Sequence, residues 1–192
     1  MIGAEMAAAV KALTDAQAAL LIRYGVDPVD ISLGMVGCAP IRLERGTYVP
    51  DPDGKVAFIT PVRVDDPLSA ESRVPDSAVR VGDLVDLIAW HPLRPGHFAL
   101  RIGVAEWLGA IEPQHLDPPP VPVRRSVLAW FQHGCTGLVP LSREPRDVYR
   151  LLGGIGRLEA EDDAHRAELR AVLQRPWPTP AISVARRLRH AA

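Results

Sequence analysis

Hydrophobic residues near the N-terminus recur about every 3.6 positions, which is typical of an amphipathic helix. This pattern covers residues 4–24, and Gly25 suits the C-terminal end of such a helix. Apolar and polar residues then alternate on both sides of a Pro-Asp-Pro-Asp-Gly turn at 50–54. The alternation predicts a β-hairpin over residues 41–64, with Pro61 at an edge or a bulge because proline cannot donate to a strand ladder.

The second half of the chain predicts two more long strands and several helices. A nearly continuous apolar run at 81–90 indicates a central strand, and 97–102 indicates its partner beyond a break at 91–96. Helices are predicted by the segments 104–111, 123–132, 145–152 and 159–174, and a short strand by 137–141. The strand connections are too short for helical crossovers, which favours antiparallel pairing. We therefore expect an α+β fold: a mainly antiparallel sheet with helices packed on it, and a helical C-terminal third.

Proline marks the clearest change in composition along the chain. Five prolines fall within the eleven residues 112–122, which predicts an extended connector. The predicted division is an α+β part at 1–112, a connector at 113–122, a mainly helical part at 123–175 and a proline-bounded basic tail at 176–192. An equally good alternative is that the proline-rich stretch is a rigid strap across the surface of one domain.

Composition excludes several classes of protein. The chain has 192 residues, of which 47% are hydrophobic and 23% charged, as in ordinary globular domains. The net charge of −1 gives no overall attraction to nucleic acids or membranes. The two cysteines, Cys38 and Cys135, have no CxxC spacing, and the N-terminus lacks the basic and apolar regions of a signal peptide. We expect a cytoplasmic protein that has no membrane association and no cofactor.

The densest group of titratable residues surrounds the predicted strand at 81–90. Asp86, His91 and His97 are candidates for acid–base catalysis or metal binding, since loop residues after a strand often carry chemistry. Asp83 is three residues from Asp86, so an ideal strand points the two carboxylates to opposite faces. The competing interpretation is that both histidines lie on an exposed turn without a catalytic role.

His133 and Cys135 form a second candidate, in which His133 is the base and Cys135 the nucleophile. A buried cysteine beside a helix end is the simpler interpretation. A structural zinc site needs four ligands, usually in paired spacings, which these residues do not supply. We therefore expect no bound metal.

The tail predicts an interaction surface. Trp177 lies between Pro176 and Pro178, so regular structure cannot hold it, and we expect it to dock on its own domain, on a second copy or on a partner protein. A nucleic-acid surface is an alternative, and it would use arginines at the start of the predicted helical part and in the tail. These are Arg124, Arg125, Arg186, Arg187 and Arg189.

Four strings in the chain resemble uncharacterised small proteins of prophages and other mobile elements of GC-rich bacteria. They are Asp-Leu-Ile-Ala-Trp-His-Pro at 86–92, His-Phe-Ala-Leu-Arg-Ile-Gly at 97–103 and Leu-Ala-Trp-Phe-Gln-His-Gly-Cys at 128–135, followed by Glu-Asp-Asp-Ala-His at 161–165. The resemblance implies a genomic context and no activity. The leading interpretation is a non-enzymatic accessory or protein-interaction protein. A small enzyme using Asp86, His91 and His97 and a nucleic-acid-binding protein remain the alternatives.

Overall fold

The computed structural model describes residues 1–63, 83–109, 119–142 and 144–175. Within these ranges there are six α-helices, α1 to α6 in chain order, at Ile2–Ala12, Asp15–Arg23, Pro28–Ser32, Val127–Gln132, Pro145–Leu152 and Asp163–Leu173. The five longer strands, β1 to β5, are Gly37–Glu44, Thr47–Pro50, Lys55–Arg63, Leu84–Trp90 and Phe98–Leu100. The four shorter strands, β6 to β9, are Trp107–Leu108, Val121–Pro122, Val139–Pro140 and Leu158–Glu159.

Strands β1 to β5 close into a barrel in the order β1-β2-β5-β4-β3. All pairings are antiparallel except β2 with β5, which is parallel and has one residue pair, Thr47 with Leu100. The expected mixed α and β structure is thus confirmed, and the sheet is a closed ring. The predicted segment 97–102 does pair with the predicted strand at 81–90, and in the pairing of β4 with β5 Trp90 lies opposite Phe98.

The hairpin predicted across residues 50–54 is correct only in part: β1 does pair antiparallel with β3, including Ile41 with Lys55, but the segment around Tyr48 forms a separate strand, β2. Strands β2 and β3 flank β1 on either side, and neither is the neighbour of the other. The actual hairpin joins β1 to β2 through Arg45 and Gly46, whose φ angles of 46° and 92° give the left-handed two-residue turn that suits twisted strands. Pro61 lies beyond the part of β3 that β1 covers, and a register shift follows at Val62, so the expected edge or bulge position is confirmed.

Only one face of the barrel strands stays buried around the whole ring, and this face is the interior. It carries apolar side chains from all five strands, of which Tyr48 is large and the others are alanine, leucine or isoleucine: Ile41, Tyr48, Ala57, Ile59, Leu87, Ala89 and Ala99. On the opposite face, residues of β1 such as Arg42 and Glu44 are exposed, as expected for the outside. The alternation of strand side chains therefore places the smaller of the two main apolar clusters inside the barrel.

Helix α1 closes the end of the barrel at which β1 begins. Met6 and Ala9 are buried in the interior cluster, and a Cβ on Gly37 would lie 2.5 Å from the Ala9 backbone, so helix and strand touch directly. Glu5 fixes this position by accepting hydrogen bonds from the Tyr48 hydroxyl at 3.1 Å and from Arg101 Nε at 2.9 Å. Burial, followed by the nearby Glu5 carboxylate, raises the pKa of Tyr48, so its hydroxyl stays a donor.

The outer face of β3, β4 and β5 packs against the helices. Trp90 stacks on Phe131 of α4 with ring centroids 5.8 Å apart, and its Nε1 donates to Thr60 Oγ1 at 2.9 Å. Leu21 of α2 and Leu141 belong to the same buried cluster. Residues before and after the proline-rich stretch thus share one core cluster.

The N-terminal segment is two helices where the sequence pattern predicted one. The break falls at Thr14, whose side chain accepts from Gln17 N while the Gln17 side chain accepts from Thr14 N, a complete capping box. The helix predicted at 104–111 is also wrong, because residues 107–108 form β6, which pairs with β8. Helix α5 begins at Pro145 and ends at Leu152, which confirms the predicted segment 145–152.

The C-terminal third combines helices with short strand pairs. Helix α4 begins after the Ser126 cap, so it is shorter than the predicted 123–132, and α6 begins after the Asp162 cap rather than at residue 159. The strand pair β7–β9 is parallel. Residues 112–118 of the predicted connector and the tail 176–192 lie outside the described residues.

Candidate functional site

A cavity of about 800 Å³ lies at the end of the barrel opposite α1. Its walls come from the end of β1, the start of β3, the end of β4 and the start of β5. We call it the mouth cavity. Its volume lies within the range of small-molecule binding sites in proteins, about 300–1,000 Å³.

Small side chains on the barrel interior leave this space open. Ala57, Ala89 and Ala99 are buried and face inward on three neighbouring strands, so no bulky group fills the barrel at this level. Leu43 and Val56 lie at the rim and are 69% and 55% exposed. An apolar wall with exposed apolar rim residues favours the binding of an apolar group.

Polar groups surround the rim of the mouth cavity. Arg42 forms ion pairs with Glu44 at 2.7 Å and Asp51 at 3.0 Å, so it is engaged within the protein. The remaining charged lining residues are Lys55, Arg94 and Asp53. Sequence analysis did not identify Lys55 or Arg94, although Lys55 falls on an inward-facing position of β3 opposite Ile41.

His91 and His97 both line the mouth cavity, one at each end of the loop joining β4 to β5. His91 Nδ1 accepts a hydrogen bond from Leu93 N at 3.2 Å, and its ring packs against Phe58 at 5.8 Å. Because Nδ1 is an acceptor, the proton of a neutral His91 lies on Nε2. The structure therefore brings together two of the three residues proposed from the sequence as an acid–base site.

Asp86 does not belong to this cavity. It is fully buried, and its carboxylate accepts backbone hydrogen bonds that hold the chain after β5. Oδ1 accepts from Leu87 N at 2.8 Å, Arg101 N at 3.0 Å and Ile102 N at 2.9 Å. Oδ2 accepts from Gly103 N at 2.9 Å, Val104 N at 2.9 Å and Ala105 N at 3.3 Å. These contacts assign Asp86 the role of anchoring a loop.

His133 and Cys135 are not arranged as a base and a nucleophile. His133 Nδ1 lies 2.8 Å from the Ala129 carbonyl oxygen, which can only accept, so this nitrogen carries a proton. Burial and then the nearby Asp30 carboxylate raise the pKa of Cys135 to about 12. A thiol with so high a pKa is almost entirely protonated at neutral pH and is a poor nucleophile.

Of the arginines proposed for nucleic-acid binding, Arg124 and Arg125 lie within the described residues, and both make contacts inside the protein. Arg124 is buried, and its Nε donates to the Thr136 carbonyl oxygen at 3.4 Å. Arg125 pairs with Asp162 at 2.6 Å and Glu168 at 3.3 Å, and these hydrogen bonds raise the pKa of Arg125. The other residues of the proposed interaction surfaces, Trp177, Arg186, Arg187 and Arg189, lie outside the described residues.

Across residues 1–63, 83–109, 119–142 and 144–175, no three His, Cys, Asp or Glu side chains group as metal ligands. Among the helices described here, none has the length and apolar content needed to cross a membrane. No family model, no curated protein and no solved structure matches the chain. The resemblance to proteins of mobile elements therefore stays a prediction.

Proposed function

We propose that this protein is a non-enzymatic binding protein that holds an apolar ligand in the mouth cavity. The observation that carries the proposal is the cavity of about 800 Å³ at the open end of a closed barrel, lined mainly by apolar side chains. The opposite end is closed by α1, so the interior is accessible from one side. The proposal keeps the non-enzymatic part of the sequence-based expectation and names a small apolar ligand where that expectation named a protein partner.

The chemistry of the cavity supports binding over catalysis. The acid–base hypothesis needs the Asp86 carboxylate beside His91 and His97, and that carboxylate is occupied by backbone N–H groups away from the cavity. Without a carboxylate from Asp86, the two histidines serve as polar contacts for a bound molecule. Polar groups of this kind fix the orientation of a ligand whose apolar part fills the site.

The test uses N-phenyl-1-naphthylamine, a neutral apolar dye whose fluorescence rises on binding. The double variant Leu43→Gln with Val56→Thr changes two exposed rim residues and is expected to fold normally. It should bind the dye roughly 10- to 150-fold more weakly, since each side chain loses roughly half of the 1.5–3 kcal/mol of a fully buried apolar group.

A matched control is available elsewhere on the surface. Val29 and Leu33 of the region around α3 are 58% and 72% exposed and do not line the cavity, so Val29→Thr with Leu33→Gln should leave dye binding unchanged. The proposal is overturned if the wild-type protein does not bind the dye, or if both double variants weaken binding equally.

A further inference from the structure

The mouth cavity combines an apolar interior with an excess of cationic side chains at its rim. Once Arg42 is paired with Asp51, the lining retains Lys55 and Arg94 against the single carboxylate of Asp53. Within the described ranges, neither Lys55 nor Arg94 makes an ion pair or a side-chain hydrogen bond. His91 and His97 add two further groups that can donate hydrogen bonds.

The backbone places Lys55 and Arg94 at the same end of the barrel. Lys55 is the first residue of β3, and β3 pairs with β4, whose end leads into the loop that carries Arg94. This loop is held by two hydrogen bonds, from Arg94 N to His91 O and from His97 N to Arg94 O, each 2.9 Å. Arg94 therefore lies at the middle of an ordered turn between the two histidines.

We propose that the ligand of the mouth cavity is a small amphipathic acid. This inference rests on the proposed function and adds the class of ligand. The apolar body of the ligand contacts Ala57, Ala89 and Ala99, and its carboxylate lies at the rim near Lys55 and Arg94. A carboxylate at this position stays partly hydrated and lies near the two positive charges of Lys55 and Arg94. Binding therefore avoids the large free-energy cost of burying a charge without a partner.

The experiment compares decanoate with decanol, which share an apolar chain and differ in the charged group. Each ligand displaces N-phenyl-1-naphthylamine from the wild-type protein below its critical micelle concentration. Decanoate should bind more tightly than decanol, and its affinity should fall as salt concentration rises, because exposed ion pairs are screened.

Two double variants test whether Lys55 and Arg94 cause the preference for an acid. Lys55→Gln with Arg94→Gln should weaken decanoate about tenfold, as expected for the loss of two exposed ion pairs, and should leave decanol unchanged. The control, Lys11→Gln with Arg23→Gln, removes the same charge from exposed positions on α1 and α2 and should change neither affinity.

The outcomes separate this inference from the proposed function. If decanol binds as tightly as decanoate, or if the Lys55 and Arg94 variant binds decanoate normally, the acid preference is wrong while the cavity still binds apolar ligands. If neither ligand nor the dye binds, both proposals are wrong. If a peptide ending in a free leucine carboxylate binds and decanoate does not, the small-molecule assignment is overturned in favour of a protein C-terminus.

Discussion

Replacing Asp86 with asparagine tests whether this carboxylate holds the chain after β5. The wild-type side chain offers two negatively charged oxygens, each of which accepts three backbone N–H groups. An amide keeps one acceptor oxygen and points an NH₂ group at the other three donors. At least three hydrogen bonds are therefore lost, and the donors on that side face a second donor.

The expected loss of stability follows from these contacts. A hydrogen bond to a charged acceptor contributes about 1.5–3 kcal/mol to stability. Where three N–H groups donate to the same oxygen, each of these bonds contributes less than a single bond to that oxygen would. The Arg101 N–H keeps a second acceptor, Leu87 O at 2.8 Å, and Ile102 and Val104 are about half exposed, so water replaces part of the loss. Taking roughly 1 kcal/mol for each of three bonds, Asp86→Asn should cost about 3 kcal/mol.

The assay is denaturant unfolding supported by thermal melting. A loss of about 3 kcal/mol lowers the melting temperature of a chain of this length by roughly 6–12 °C. Asp163→Asn serves as the control, because the Asp163 side chain is 91% exposed and forms a surface ion pair with Arg166. Amide protons of residues 101–105 should also exchange faster in the Asp86 variant. A loss below about 1 kcal/mol, with exchange unchanged, would refute the anchoring role.

Two further predictions follow from the shifted pKa values. The first uses the Cys38→Ala variant, in which Cys135 is the one remaining cysteine. Because the pKa of Cys135 is about 12, this thiol should react with iodoacetamide at pH 8 at least about a hundredfold more slowly than free cysteine. A rate like that of free cysteine would restore the hypothesis that Cys135 is a nucleophile. Arg125 hydrogen bonds hold the pKa of Asp162 at about 2, so this carboxylate stabilises the fold above its ordinary pKa and the contribution is lost as pH falls towards 2. In Arg125→Gln, titration followed by NMR should move the Asp162 pKa up towards its ordinary value, and an unchanged pKa would contradict the pairing.

The sequence predicted local structure better than it predicted pairing. Alternating and continuous apolar runs located β4 and β5, and Pro145 at a first helical turn located α5, because these signals depend on neighbouring residues. The closed ring depends on β2 meeting β5, residues far apart in the chain whose contact leaves no local pattern. The break between α1 and α2 had a local signal in Thr14 and Gln17, which the continuous apolar period concealed.

The candidate site was only partly predictable for a similar reason. His91 and His97 lie at the two ends of one short loop between paired strands, so proximity in sequence placed both at one cavity. The role of Asp86 was not predictable in this way. A carboxylate in a buried strand indicates a group with specific partners, but the sequence does not show which groups those partners are. Lys55 reaches the same cavity only because β3 pairs with β4, and that pairing joins segments separated by many residues.

The closure of the barrel through Thr47 and Leu100 gives the ring uneven stiffness. Four of the five strand pairings in the barrel are antiparallel and contain several residue pairs. The pairing of β2 with β5 is parallel and contains one residue pair. A closed sheet separates most easily where the fewest residues pair. We therefore expect a ligand larger than the cavity to move the β1–β2 hairpin away from β5. Both residues of this pair line the mouth cavity, so a ligand larger than the cavity would press on the ring beside its shortest strand pairing.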